Sequence, residues 1–231
     1  SHNDNRIARI SNALKVRNAE AAEKVTSRPL PKYVEGYSQS IIWGVRSLGI
    51  DPTSGREILL TRDGKRTFDW NALDQVPLGD TEPTLQGTLS ANFNWKGLSV
   101  SLIGGYKFGG QMYNYTLIEK VENANLRMNV DERAFTDRWK KPGDIAMFRR
   151  IDDQGPVYQS SRLVQKNNYI RMSSLSLTYD IPREKLARTF IERCKFTFSM
   201  TDVFRISSIK QERGTSYPFA WTYSFGVNLT F

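Results

Sequence analysis

The side chains that most often carry chemistry are scarce in this chain. Among 231 residues there is one histidine, His2, and one cysteine, Cys194. A Ser/His/Asp arrangement would have to use His2, which sits at the extreme end. One cysteine cannot close an internal disulfide. With no Cys/His ligand cluster, a metal would have to be held by carboxylates alone. Cys194 reads as an ordinary small apolar residue, and His2 as a surface residue. Asp131-Glu132 and Asp152-Asp153 are adjacent pairs. In an extended chain such neighbours point to opposite faces, so loop solvation explains them better than shared acid–base work. Gly104-Gly105 with Gly109-Gly110 lacks the lysine and helix that follow a phosphate loop. Those glycines better suit curvature or crowding within strands. Asp63, Gly64 and Asp69 only faintly suggest a calcium loop, and the spacing fails. The expectation is therefore a non-enzyme with no catalytic residue, no metal and no cofactor.

The charge balance narrows the partners. The formal net charge is +9, with a pI of about 9.6. A basic balance can serve nucleic acid or anionic lipid. Here the Lys and Arg are spread along the chain, and the densest run, Arg138-Trp139-Lys140-Lys141, is short. Solvated loops and rims account for them, and no nucleic-acid partner is expected. The mean hydropathy of −0.51 describes a water-soluble chain, and no stretch of about 20 apolar residues could form a membrane helix. An average hides alternation, however, and alternation dominates this sequence.

From Pro218 to Phe231 the odd positions are Phe219, Trp221, Tyr223, Phe225, Val227, Leu229 and Phe231. The even positions are Ala220, Thr222, Ser224, Gly226, Asn228 and Thr230. Strand side chains alternate between faces, so one face is continuously apolar and the other small or polar. Soluble strands average about 5–6 residues, whereas a membrane strand needs about 9–11, with apolar residues facing outward and aromatics at both interfaces. The same code recurs upstream. Thr84 to Trp95 sets Leu85, Leu89, Ala91, Phe93 and Trp95 against Gln86, Thr88, Ser90, Asn92 and Asn94. After a tight turn over Asn94-Trp95-Lys96-Gly97, Leu98, Val100, Leu102, Tyr106 and Phe108 oppose Ser99, Ser101 and Lys107. Lys195 to Thr201 alternates through Phe196, Phe198 and Met200. Asn168 to Tyr179 is weaker, with Leu175, Leu177 and Tyr179 on its apolar face. Ser38 to Val45 supplies Ile41, Trp43 and Val45.

These six strands predict an all-β fold, an antiparallel transmembrane barrel segment with long extracellular loops. The connections support it: bacterial barrels have short periplasmic turns and longer extracellular loops. If the last residue is periplasmic, the 94–97 turn and the 180–193 link are periplasmic too. The long segments 46–83 and 109–166 then fall outside. Residues 1–37 are expected to be a periplasmic link and strand end, and 38–231 the barrel part. The composition predicts a helix within residues 5–27, ending at Pro29 and Pro31, and a short helix over 129–139 stopped by Pro142-Gly143. Asp63-Gly64 is a hairpin-turn signal.

Several stretches carry a family resemblance. They are Gly49-Ile50-Asp51-Pro52-Thr53-Ser54-Gly55, Gly79-Asp80-Thr81-Glu82-Pro83, Gly109-Gly110-Gln111-Met112-Tyr113-Asn114 and Glu119-Lys120-Val121-Glu122-Asn123, then Arg138-Trp139-Lys140-Lys141-Pro142-Gly143-Asp144 and the terminal Tyr223–Phe231. In their order and spacing the chain resembles the C-terminal part of the SusC/RagA-like TonB-linked outer-membrane proteins of Bacteroidetes. The resemblance implies a large, plugged, 22-stranded barrel in the outer membrane, multi-pass, with a periplasmic C-terminus. It implies nutrient uptake, of glycans or peptides, powered through TonB, with a SusD-like surface lipoprotein as lid. The plug and TonB-contacting segment are not in this sequence, and the chain starts polar at Ser1, so it is expected to begin in mid-protein. The remainder of the barrel and plug, outer-membrane lipid and the barrel assembly machinery are the other expected partners. The terminal strand, with Tyr223, Phe225, Val227, Leu229 and Phe231, resembles the signal which that machinery reads. Tyr113, Trp139 and Tyr158, in expected extracellular loops, are candidates for contact with substrate or lid; internal loop packing is the competing role, and the substrate site itself is left unassigned. The alternative is a free-standing outer-membrane or surface β-domain used in binding or adhesion.

Overall fold

The structure, a computed structural model, describes residues 5–24, 26–125, 127–153, 155–187, 189–209 and 221–231. His2 and the expected strand start at Pro218 to Ala220 lie outside the described residues. In chain order the strands are β1 Ile41–Ile50, β2 Glu57–Leu60, β3 Arg66–Thr67, β4 Gln75–Asp80, β5 Leu85–Trp95, β6 Leu98–Phe108, β7 Gln111–Tyr113, β8 Val164–Lys166, β9 Tyr169–Asp180, β10 Arg193–Ser207 and β11 Thr222–Thr230. The chain forms two compact units.

The first unit, from residues 84–109 and 167–231, holds the antiparallel sheet β11-β10-β9-β6-β5. β5 and β6 meet at Trp95↔Leu98 across a two-residue turn. Lys96 and Gly97 both have positive φ, 43° and 89°, the conformation whose twist matches the flanking strands. The sheet is antiparallel throughout, and within this chain it does not close.

The register aligns the apolar positions. One row across the sheet is Phe93–Val100–Leu177–Phe198–Phe225, and the next is Trp95–Leu98–Tyr179–Phe196–Val227. Between them, on the opposite face, runs Asn94–Ser99–Thr178–Thr197–Gly226, followed by Asn92–Ser101–Ser176–Ser199–Ser224. A one-residue slip of any strand would put its apolar set on the polar face, so the pattern itself specifies the register. Near the other end the register shifts: Ser173 is extra in β9, and Asp202-Val203 in β10. Asp202 has φ 52°. The bulge restores the pattern, since Met172 then pairs with Phe204 and Ile170 with Ile206.

The second unit, drawn from the residues before Thr84 and from 110–166, carries the remaining sheets, β3-β2-β1-β4 and β7-β8. Its core packs Leu117, Ile118, Val121, Ala134, Phe148, Val157 and Leu163. The helix expected within 5–27 is α1, Asn12–Glu23, opened by the Ser11 hydroxyl, which accepts from the Leu14 N–H. The Asp63-Gly64 signal is the turn between β2 and β3, where the Gly64 N–H donates to the Thr61 carbonyl.

Two expectations are corrected here. The segment Ser38 to Val45 does form a strand, within β1, but β1 pairs with β2 and β4 and is no part of the five-stranded sheet. The physical reason is burial on both faces: Ile42, Trp43, Gly44 and Val45 are all buried in succession. Alternation of large residues at 41, 43 and 45 concealed a core strand. The count back from the last residue, which places residues 1–37 in the periplasm, runs through that strand. The helix expected over 129–139 is only the single turn Arg133–Thr136. Asp131 lies just ahead of it, its carboxylate accepting from the Arg133 N–H at 3.0 Å. It stops because the Arg138 side chain, through Nε at 2.9 Å, takes the Ala134 carbonyl that a continuing helix would bond with its backbone.

Candidate functional site

Among the described residues the apolar face of the five-stranded sheet is largely exposed. Phe225 is 71% exposed, Leu89 69% and Phe93 59%. An exposed patch of this width is too large for a water-facing surface and marks a membrane or protein contact. Both ends of the sheet carry aromatics. At the turn end Phe190 and Phe231 stack at 5.7 Å, with Trp95 and Tyr179 in one row nearby. At the other end Tyr106 and Phe108 lie 6.1 Å apart. The opposite face is hydroxyl and amide for most of its length. Such a sheet suits hydrocarbon on one side and water on the other. Among the described residues no helix is long and apolar enough to cross a membrane.

The connections divide by end. The short 95–98 turn and the 181–192 link sit at the end marked by Trp95 and Tyr179; there the Asp180 N–H donates to the Gly97 carbonyl at 2.8 Å. The chain passes out of the sheet unit at 84, 109 and 167, all at the other end. There the Gly109 N–H donates to the Asn168 side chain at 2.9 Å and the Thr84 hydroxyl to the Phe108 carbonyl at 3.3 Å. All of the inserted chain therefore leaves from one end of the sheet.

Within the second unit, a buried ion network holds segments far apart in sequence. Glu122 accepts from Arg162 at 2.8 Å and from Arg149 at 3.2 Å, and Arg162 also pairs with Glu57 at 3.1 Å. Burial alone would lower the Arg162 pKa, but the Glu57 and Glu122 carboxylates outweigh it and hold the guanidinium charged. Arg138, from the run expected to be solvated, is buried instead. It donates to the carbonyls of Val121 and Glu122 at 2.9 and 2.6 Å. Burial lowers its pKa. Sequence reasoning missed this network because its members, Glu57, Glu122, Arg149 and Arg162, stand amid ordinary loop charges. Only Asp131-Glu132 and Asp152-Asp153 stand out in the sequence as acidic pairs. Of these, Asp131 pairs with Arg133 at 2.7 Å, Asp152 with Arg150, and Asp153 with Arg149 at 3.2 Å.

The three aromatic loop candidates are not brought together; they line three separate cavities. Tyr113, on β7, lines one of about 440 Å³ with Tyr115, Arg28 and Pro31. Its hydroxyl has no hydrogen-bond partner among the described residues; burial, reinforced by Glu57, pushes its pKa up. Tyr158 lines another, of about 430 Å³, and stacks on Trp70 at 5.4 Å. Trp139 borders the third, of about 560 Å³. Its Nε1 donates to the Pro52 carbonyl at 2.8 Å, and its ring lies where a β-carbon on Gly55 would come within 2.6 Å. Gly55 has φ +70°, so Gly55→Val is expected to cost about 1–3 kcal/mol from backbone strain and to displace Trp139. The measurement is protease cleavage within 136–146, which should speed up; an unchanged rate would contradict the packing. Among the described residues no group of His, Cys, Asp and Glu could hold a metal ion.

No family model matches the chain. It is 22% identical to the TonB-dependent receptor P3 of Formosa agariphila, over 81% of this chain and 20% of that protein. A solved RagAB peptide transporter superposes with TM-score 0.67 at 19% identity, over 88% of this chain and 24% of that one. The RagAB peptide importer in its open-open state gives TM-score 0.67 at 20% identity, over 85% and 23%. The chain thus spans about a fifth to a quarter of the proteins it matches. At these identities the solved structures show the fold alone, an antiparallel sheet like a segment of those transporters. The resemblance read from the sequence agrees with them, and the proteins matched are receptors and transporters rather than enzymes.

Proposed function

We propose that this chain is the C-terminal part of an outer-membrane TonB-dependent importer that takes up peptides or glycans together with a SusD-like lipoprotein. The observation that carries the proposal is the five-strand apolar face, exposed opposite a face of small hydroxyls and amides. In this proposal the Leu177 row meets lipid and the Ser176 row lines the lumen. The edges of β5 and β11 pair with the rest of the barrel, since an unpaired edge invites aggregation. The end bearing the 95–98 turn and the 181–192 link is periplasmic, with the C-terminus. Residues 5–83 join 110–166 on the extracellular side, because both leave the sheet at the opposite end. The lid lipoprotein meets that side, while the plug and the TonB contact belong to the parent protein.

The last strand serves assembly in this proposal, through Tyr223, Phe225, Val227, Leu229 and Phe231. All five side chains are exposed on one strand, ready for a partner strand and a recognising surface. Phe231→Ser is expected to lower the amount of assembled parent barrel severalfold while leaving its synthesis unchanged, read by immunoblot of outer membranes against whole cells. Equal amounts of assembled protein would remove the assembly role.

Transport itself is tested in cells. Uptake of a fluorescent peptide mixture and of a fluorescent oligosaccharide mixture is compared in cells with and without the parent gene, before and after collapse of the proton gradient. Gene-dependent, gradient-dependent uptake of either mixture is expected. Uptake of both that is indifferent to the gene would sink the importer proposal.

A further inference from the structure

The polar face changes character toward the loop-bearing end. For most of its length it presents Ser, Thr and Asn, but beyond the bulge it presents Arg171 on β9 and Arg205 on β10, which pair directly across the two strands. Their face is fixed by the neighbours. Gly105, the register partner of Arg171, pairs with Thr88 on the face of Ser90, Asn92 and Asn94. The Arg171 Nε lies 3.7 Å from where a Gly105 β-carbon would stand, so the side chain lies across β6 on that polar face. Tyr169, two residues along, shares the face. The Arg205 guanidinium sits 4.4 Å from its ring centroid, and that of Arg171 5.9 Å. The ring gives both cations a common platform. Among the described residues neither guanidinium has an ion-pair partner, and both arginines are exposed.

Like charges placed directly opposite across strands are destabilising. Arginine adds planar donor forks that match a carboxylate edge to edge, which lysine does not. Two such forks beside one aromatic face, with Lys107 in register with Tyr169 on a face elsewhere mostly of hydroxyls and amides, form a receptor for a planar anion. Resting on the barrel proposal above, which makes this face the lumen wall, we infer that Arg171, Arg205 and Tyr169 form a carboxylate-binding station at the outer mouth of the pore, engaging the carboxylate of an imported ligand. A peptide side chain and a uronic acid both present that group.

The test uses the purified full-length parent protein in detergent. Binding of triglutamate and of trigalacturonate is titrated calorimetrically against the neutral triglutamine and trigalactose. The variants are Arg171→Gln with Arg205→Gln, the same two positions changed to lysine, and a control, Arg183→Gln with Lys185→Gln, which removes two charges at the opposite end. The glutamine pair is expected to weaken a carboxylate probe at least about tenfold, as loss of charge-assisted bonds predicts. The neutral probes and the control should not change, and the lysine pair should fall between. Loss confined to triglutamate identifies a peptide carboxylate, loss confined to trigalacturonate a sugar carboxylate, and loss of both the shared group. Wild-type protein that does not prefer either carboxylate probe over its neutral analogue, or a glutamine pair that keeps the preference, would overturn the inference. Heat-dependent gel migration of the same samples reports on the barrel separately, so failure of the station and failure of the barrel proposal give different results.

Discussion

Glu122→Gln destabilises the second unit by about 3–5 kcal/mol, the cost of leaving buried charge unpaired. Glu122 is the shared carboxylate of Arg149 and Arg162, and all three side chains are almost fully buried. Its removal leaves Arg162 with Glu57 alone and Arg149 with the partly exposed Asp153. The network joins segments that no local interaction would hold, 57 to 162 and 122 to 149. The loss is therefore expected to spread through the unit rather than fray one loop. Hydrogen exchange of the parent protein should show loss of protection over 115–163, with the five-stranded sheet unchanged. Asp152→Asn, which breaks the exposed pair with Arg150, should change nothing measurable, as exposed ion pairs contribute little. Protection over 115–163 that survives Glu122→Gln would mean that the apolar core around Phe148 suffices without the network.

Leu177→Lys and Ser176→Lys differ by one position along β9 and should differ sharply in outcome. Leu177 lies at the middle of the apolar row, between Val100 and Phe198. A lysine on the lipid face near the bilayer centre costs about 2–4 kcal/mol. Ser176 lies between Ser101 and Ser199 on the other face, which the proposed barrel turns to the water-filled lumen. The yield of heat-modifiable parent protein in outer membranes is the measurement. A collapse for Leu177→Lys with near-normal yield for Ser176→Lys is expected; equal yields would remove the assignment of the faces.

The comparison of residues with structure shows what kind of information a sequence carries. β5, β6, β9, β10 and β11 were legible because alternation is a local signal with period 2, repeated strand after strand, and the register follows from it. Lys96-Gly97 was legible as turn chemistry. β1 is legible as a strand but its neighbours are not: Ile41, Trp43 and Val45 alternate like a lipid-facing set, and only tertiary burial of Ile42 and Gly44 separates the two cases. Arg138 was read as solvated because a run of charges gives no sign of which member turns inward. The Glu57–Arg162–Glu122–Arg149 network spans more than a hundred residues of chain, beyond any spacing rule. For the candidate site, the two faces were legible and the arginine station was not. Arg171 and Arg205 come opposite only after the bulge at Ser173 and Asp202-Val203, which shifts the register in a way alternation cannot announce.

The central claim is that this chain is one segment of a much larger barrel in the outer membrane. The most direct measurement is an immunoblot of purified outer membranes with antibody against this segment, with and without boiling. The account predicts a band severalfold larger than the 26.5 kDa of this chain, migrating differently when unheated. A band near 26.5 kDa in the soluble fraction would contradict it and leave a free-standing β-domain.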